Sequence, residues 1–398
     1  MTLIPFAPEH LEVGASLPFD LYDGAGRLMM PRDAVIADAT QLARLTAHDL
    51  MAGEAESADW RLAKQREREL AEAFDDAFGG GPATPAVPVA PAPPRLELIA
   101  ELGVVQSQLN VLLLEASPDD KWLPRVLAVA GRMNELMDEH ADAMLFLVLQ
   151  RAVRRYEHYS SRHALLCAMV GTLCARQLGF DRAEVRSLAL AALTMNWSMT
   201  AMQDELTLRE RTPSLDQRIR IDRHPELSAA QLRDAGVTDP LCVDVVARHH
   251  QDGPGDMGLS ALAPADRLAR VLRRLDVFFA KISPRLSRPG MPATLAARAA
   301  CLGANGEPDE VGSAIIKVLG IYPPGTCVVL ANGEIAMVLR RGDHANQPRA
   351  VSLAGPGGTE MRVPLLRDTS QTPWRITGTA RPSDLRTQVN IADLLVMM

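Results

Sequence analysis

The sequence predicts a mainly α protein: a helical bundle with a small β-rich module at its N-terminus and a short β-hairpin appendage at its C-terminus. Three observations predict it. Apolar residues recur at three- and four-residue spacing through most of residues 95–320, the pattern of packed amphipathic helices. Near both ends of the chain the period shortens to two, as in half-buried strands. Between the first β-like segment and the helices, Gly79-Gly80-Gly81-Pro82 and the Ala/Pro/Val stretch to Pro94 hold too many prolines for a helix and read as a semi-extended tether.

The elements follow in order. Leu17 to Ile36 reads apolar, then Asp23-Gly24-Ala25-Gly26, then apolar again, which is a strand, a tight turn and a second strand. Thr40 is placed to cap a short helix through Leu42, Leu45 and Leu50, and charged helical sequence continues from Arg61 to Phe74. Helices are predicted over 96–116, 123–150, 163–178 and 183–199, and further ones over 215–235, 240–250, 263–281, 292–301 and 309–319. From Tyr322 the alternation of strands returns, and Asn332-Gly333 between Thr326–Leu330 and Glu334–Leu339 predicts a hairpin with a type I′ turn. No fixed-period repeat is present. The expected organisation is a β-rich module plus helix over 1–75, a linker over 76–94, connecting helices over 95–150, a principal helical domain over 151–320, and a β appendage and tail over 321–398.

With 398 residues, 47% hydrophobic and 23% charged, the chain can bury at least one full core, so wholesale disorder is excluded. No uninterrupted apolar run reaches the roughly 18 to 20 residues of a membrane span, and Met1 to Glu12 lacks the layout of a signal peptide. The five cysteines, Cys167, Cys174, Cys242, Cys301 and Cys327, form no C-x-x-C pair and read as core residues of a reducing compartment. A cytoplasmic protein with no membrane contact is expected. A net charge of −7 and an aromatic content of 4% disfavour nucleic acid as a partner.

The histidines carry the chemical signal. His163 opens a predicted helix, His224 sits in Arg-His-Pro, His249-His250 precede Gln251-Asp252-Gly253, and Asp276 lies on a later helix. Imidazoles and carboxylates together suit Fe, Mn or Zn, and a helical bundle can aim ligands from separate helices into one site. The same residues, taken singly, also serve as hydrogen-bonding helix-end groups.

In order and spacing, the series His163, Ala191-Ala192-Leu193-Thr194-Met195-Asn196-Trp197-Ser198-Met199, His224-Pro225, His249-His250-Gln251-Asp252-Gly253 and Leu275-Asp276-Val277-Phe278 resembles the HD-GYP family. The resemblance covers roughly residues 150–325, up to Tyr322-Pro323-Pro324-Gly325. It implies an all-α fold of the HD superfamily and a hydrolase that opens cyclic di-GMP with two or three iron or manganese ions. His163, His224, His249, His250 and Asp276 match the family's metal-site series. The family's His-Asp pair and the lysine after it do not: Met195, Asn196 and Met199 stand there. Gly255-Asp256-Met257 stands where Gly-Tyr-Pro is expected, and Tyr159 where some members carry a glutamate.

These departures bear on mechanism. Asn196 is neutral and a poor bridge between cations, and the Met195 thioether is too soft for Fe(II) or Mn(II). Met199 removes a charge expected to meet phosphate, and Asp256 would repel an anionic nucleotide. The expectation is therefore a degenerate HD-GYP-like protein with no catalytic residues, holding no cofactor or a single Fe or Mn ion, and acting in bacterial cyclic di-GMP-type signalling. Its expected partners are a signalling protein or a cyclic dinucleotide, with homodimerisation open. The alternative is a residual phosphohydrolase with His224, His249 and His250 on one metal. Trp197 and the methionines are expected to fill the volume of the lost ions.

Other features are weaker. Arg267, Arg270, Arg273 and Arg274 form a basic stripe, read as a solvated face paired with acids or as an anion- or partner-binding surface. Tyr156, His158 and Tyr159 suit either a cleft or a helix surface, and Gln108 and Asn110 read as solvent-facing. The 96–116 helix suits core packing or a dimer contact. Gly253-Pro254-Gly255 reads as a turn, and no nucleotide-phosphate loop, dinucleotide fingerprint or nucleophile elbow occurs.

Overall fold

The computed structural model describes residues 2–7, 11, 17–34, 36–58, 60–61, 97–115, 118–154, 157–251, 257–302, 309–380, 385 and 390–398. The expected helix beyond residue 61, the 76–94 linker, Tyr156, the 253–255 turn and Asp256 lie outside them. The chain divides into two compact units, Met1–Ala73 and Phe74–Met398.

In the first unit, strands Leu3–Pro5 (β1), Leu21–Asp23 (β2), Leu28–Met30 (β3) and Leu50–Gly53 (β4) form an antiparallel sheet in the order β1-β4-β2-β3. The Asp23 carboxylate accepts from the backbone N–H groups of Ala25 and Arg27, and Gly26 takes a positive φ of 77°, which closes the turn between β2 and β3. Two expectations are corrected here. The helix Ala39–Thr46 (α1) is capped by Asp38, whose side chain accepts from Gln41 N, and not by Thr40. Leu50 belongs to β4, since its alternation with Ala52 buries both against Phe6, Phe19, Leu21 and Met30.

The second unit is built from helices Glu97–Leu114 (α2), Trp122–Arg154 (α3), Tyr159–Gln177 (α4), Arg182–Thr194 (α5), Thr200–Thr207 (α6), Leu215–Asp234 (α7), Pro240–Arg248 (α8), Pro264–Ile282 (α9), Ala293–Cys301 (α10) and Glu310–Leu319 (α11). Nine of these were expected; α6, which directly follows the substituted segment, was not. The capping chemistry is explicit. Asp181 and Ser214 form capping boxes with Glu184 and Gln217, and Asp239 and Asp309 accept from first-turn N–H groups.

Helix α4 is central: 16 of its 19 residues are buried, so its apolar surface faces neighbours all round. Helices α2, α3, α5, α9 and α11 pack on it. Helix α2 bears on two readings. It is long and apolar enough to cross a membrane by length and composition, yet Leu98, Leu102, Val105, Leu109, Leu112 and Leu113 are buried. Asn110 is also buried, at 8% exposure, while Gln108 is exposed.

The C-terminal β region exceeds the expected hairpin. Cys327–Leu330 (β5), Ile335–Arg340 (β6), Arg349–Ala354 (β7), Glu360–Asp368 (β8) and Ile376–Thr379 (β9) form an antiparallel sheet in the order β8-β7-β6-β5-β9. The β5–β6 turn is not type I′, because only Gly333 has a positive φ, of 83°. Gly333 N donates to Leu330 O and Leu330 N to Glu334 O, the three-residue loop in which one left-handed residue suffices.

Candidate metal centre

Two irregularities in helical hydrogen bonding orient the histidines. Pro225 sits inside α7 and has no N–H to give the carbonyl of Ile221, four residues earlier. The Nδ1–H of His224 donates to that carbonyl instead, at 2.5 Å. Helix α8 ends at Arg248, so its last carbonyls lack intrahelical donors. The Nδ1–H of His249 donates to one of them, Val246 O, at 2.7 Å. A carbonyl only accepts, so both imidazoles carry their proton on Nδ1 and turn an Nε2 lone pair inward.

Those two Nε2 atoms are 3.1 Å apart, and both side chains are fully buried. Burial pushes the His224 pKa down to about 4 and the His249 pKa down to about 3, with the neighbouring His250 adding to both shifts. Both rings are therefore neutral near pH 7, and two acceptors face each other with no proton between them. A cation answers this arrangement. Two imidazole nitrogens about 2.1 Å from one ion, at angles of 90° to 109°, stand about 3.0–3.4 Å apart. His250 completes a trio in which one nitrogen of each residue lies within 4.8 Å of the others.

In the other half of the expected site His163 and Asp276 are paired. His163 on α4 donates from Nε2 to Asp276 Oδ1 on α9 at 2.7 Å, and Cys167 Sγ lies 3.7 Å from the same nitrogen. Burial alone would raise the Asp276 pKa, but the hydrogen bonds from His163 and His250 outweigh it and hold the group as a carboxylate. Its second oxygen lies 3.5 Å from His250 Nε2. Met195 is fully buried, and Asn196 is 5% exposed with its Nδ2 lacking a hydrogen-bond partner. An amide N–H₂ and a thioether do not supply the charge that a second hard cation needs. Among the described residues, His224, His249 and His250 form the group whose ligand atoms are close enough to hold an ion.

The remaining expectations fall as follows. Trp197 stacks on Trp122 of α3, with centroids 4.0 Å apart and an interplanar angle of 8°, and Trp122 Nε1 donates to Leu112 O of α2. Its ring is thus engaged with the α2–α3 hairpin. Met199 is buried, whereas Met257 is 45% exposed. Tyr159 is buried and stacks on His163, and Arg162 and Arg285 also approach its ring, so it lines no open cleft. His158 precedes α4 in a left-handed conformation. Cys167, Cys174 and Cys242 are buried free thiols, and Cys327 is buried.

The basic stripe of α9 divides by partner. Arg267 pairs with Glu184 and Arg274 with Asp309, whereas Arg270 and Arg273 donate to the carbonyls of Met257 and His250. Sequence reading missed the role of Pro225; the dipeptide His224-Pro225 was the available signal, since a helical proline frees the carbonyl four residues back.

No family model matches the chain. It is 28% identical over 269 residues to a cyclic di-GMP phosphodiesterase of Pseudomonas aeruginosa, an alignment covering 64% of this chain and 63% of that protein. The chain thus spans less than two thirds of the curated relative's length. Among solved structures, an HD-GYP-type protein of Bdellovibrio bacteriovorus matches with a TM-score of 0.45 at 16% identity, covering 80% of this chain and 99% of the other. The chain is thus similar in sequence to a cyclic di-GMP phosphodiesterase, and it carries the ordered series from His163 to Asp276 in a mainly helical fold.

Proposed function

We propose that the protein is a single-ion, hydrolytically silent HD-GYP relative that acts in cyclic di-GMP signalling in the cytoplasm, through a protein partner or the cyclic dinucleotide itself. The observation that carries this reading is the asymmetry of the site. His224 and His249 present two lone pairs 3.1 Å apart, while His163 and Asp276 are bonded to each other.

His224, His249 and His250 would hold the ion. When bound, it supplies a positive charge able to polarise a phosphoryl oxygen. The chain's own residues do the rest: the carbonyls of Ile221 and Val246 fix the two imidazole tautomers, and Asp276 keeps a negative charge beside His250. What the chain lacks is a bridging carboxylate at 196 and a cation at 199, so a phosphodiester transition state would meet too little charge.

The test is cyclic di-GMP turnover by anaerobically purified protein supplied with Fe(II) or Mn(II). The expected outcome is no turnover above that of the free ions. Turnover abolished by His250→Ala would overturn the reading. The intact trio favours one second reading, a one-ion phosphohydrolase acting on a different phosphorylated substrate. Hydrolysis of a generic chromogenic phosphoester, lost in His249→Ala, would select it.

A further inference from the structure

We infer that Arg273 is a positioning residue for the ion site: it holds the carbonyl of His250 and thereby turns that imidazole toward His224 and His249. The inference rests on the single-ion reading above.

The geometry of adjacent residues makes such a device necessary. Successive residues of an α-helix point about 100° apart, so His249 and His250 cannot both face one ion while the helix continues. Helix α8 ends at Arg248, and His250 lies beyond it. Its side chain is 42% exposed, whereas His224 and His249 are fully buried, so packing alone constrains it least. Two residues of α9 grip it from opposite ends. The Arg273 guanidinium donates to its backbone carbonyl, and Asp276 Oδ2 lies 3.5 Å from its Nε2. Residues three apart share a helix face, so α9 presents both groups to the same residue. Arg270, one turn earlier on α9, makes the corresponding bond to Met257 O at 2.5 Å.

A plain helix-end cap would make the same bond, so the test must separate stability from ion binding. Full-length metal-free protein is titrated with Co(II), whose d–d absorption reports the ligand set, alongside Arg273→Ala and Arg273→Lys. Outer contacts that orient metal ligands typically contribute 10- to 100-fold to affinity. Arg273→Ala is expected to bind Co(II) at least about tenfold more weakly and with an altered band shape, by the same magnitude. Its metal-free melting temperature should stay near that of the parent. Arg273→Lys keeps one donor and is expected to recover most of the affinity. Should Arg273→Ala fail to fold, Arg273→Met, which keeps the aliphatic stem, replaces it. Unchanged affinity and spectrum in the Ala or Met variant would overturn the inference while leaving the single-ion reading intact. Absence of Co(II) uptake by the parent protein would overturn both.

Discussion

The two halves of the site start from similar residues and reach opposite states. In one, the Nδ1–H groups of His224 and His249 donate hydrogen bonds to stranded backbone carbonyls, and their Nε2 lone pairs meet at 3.1 Å. In the other, the Nε2–H of His163 donates to the Asp276 carboxylate at 2.7 Å. An imidazole stays available to a cation when the backbone supplies its second-nitrogen acceptor, and is lost to it when a neighbouring carboxylate takes the inward-facing nitrogen. As the structure stands, His163 and Asp276 satisfy each other.

The sharpest way to break this comparison is His249→Ala. It removes a ligand outright, so Mn(II) or Co(II) affinity should fall by at least the upper end of the 10- to 100-fold range seen for outer contacts. The same substitution at His163 should leave the ion in place, because His163 is already committed to Asp276. Equal losses at the two positions, read by equilibrium dialysis, would dissolve the distinction.

Next in size is the reverse change. Met195→His with Asn196→Asp supplies a hard, charged ligand pair, and should raise ion uptake from one to two per chain, counted by elemental analysis. Recovery of hydrolysis should need Met199→Lys in addition, to replace the missing phosphate contact.

A third test uses pH. His224 and His249 have folded pKa values of about 4 and about 3, below the unfolded value near 6.5. The unfolded chain therefore binds more protons below pH 6.5, and the stability these rings contribute is complete above that pH. It declines as pH falls through the window from about 6.5 to 3, by up to about 3 kcal/mol for His224 and about 5 kcal/mol for His249. Melting curves of metal-free protein should show a steep loss over that range, flattened in His249→Ala. A pH-independent midpoint would mean that the rings are not buried as neutral bases.

The smallest effect is expected at Pro225. Pro225→Ala returns an N–H that competes with His224 for Ile221 O. Ion affinity should drop by about tenfold, the lower end of the outer-contact range, while helix α7 becomes no less stable.

Much of this was legible in the chain. Helix boundaries fell within a few residues of the observed ones because capping acids and apolar periodicity agree at each end, as at Asp181, Asp239 and Asp309. That His224, His249 and His250 form a candidate ligand group was legible from order and spacing. What stayed hidden depended on contacts between distant residues. The His163–Asp276 bond joins positions 113 apart, and the Trp122–Trp197 stack joins two helical regions that no local pattern relates. Asn110 looked solvent-facing because polarity was its only local signal, yet the α2–α3 packing buries it. The basic stripe was half-read: two arginines meet acids, and two meet carbonyls whose positions only the fold determines.

The central claim is that one half of the site binds an ion and the other does not. Electron paramagnetic resonance of the protein loaded with Mn(II) under anaerobic conditions, with the ion counted in the same sample, tests it most directly. The account predicts one Mn(II) per chain and the six-line signal of an isolated ion, lost in His249→Ala. Two Mn(II) per chain with a spin-coupled spectrum would contradict it, and would mean that Asn196 and Met195 are tolerated in a working two-metal centre.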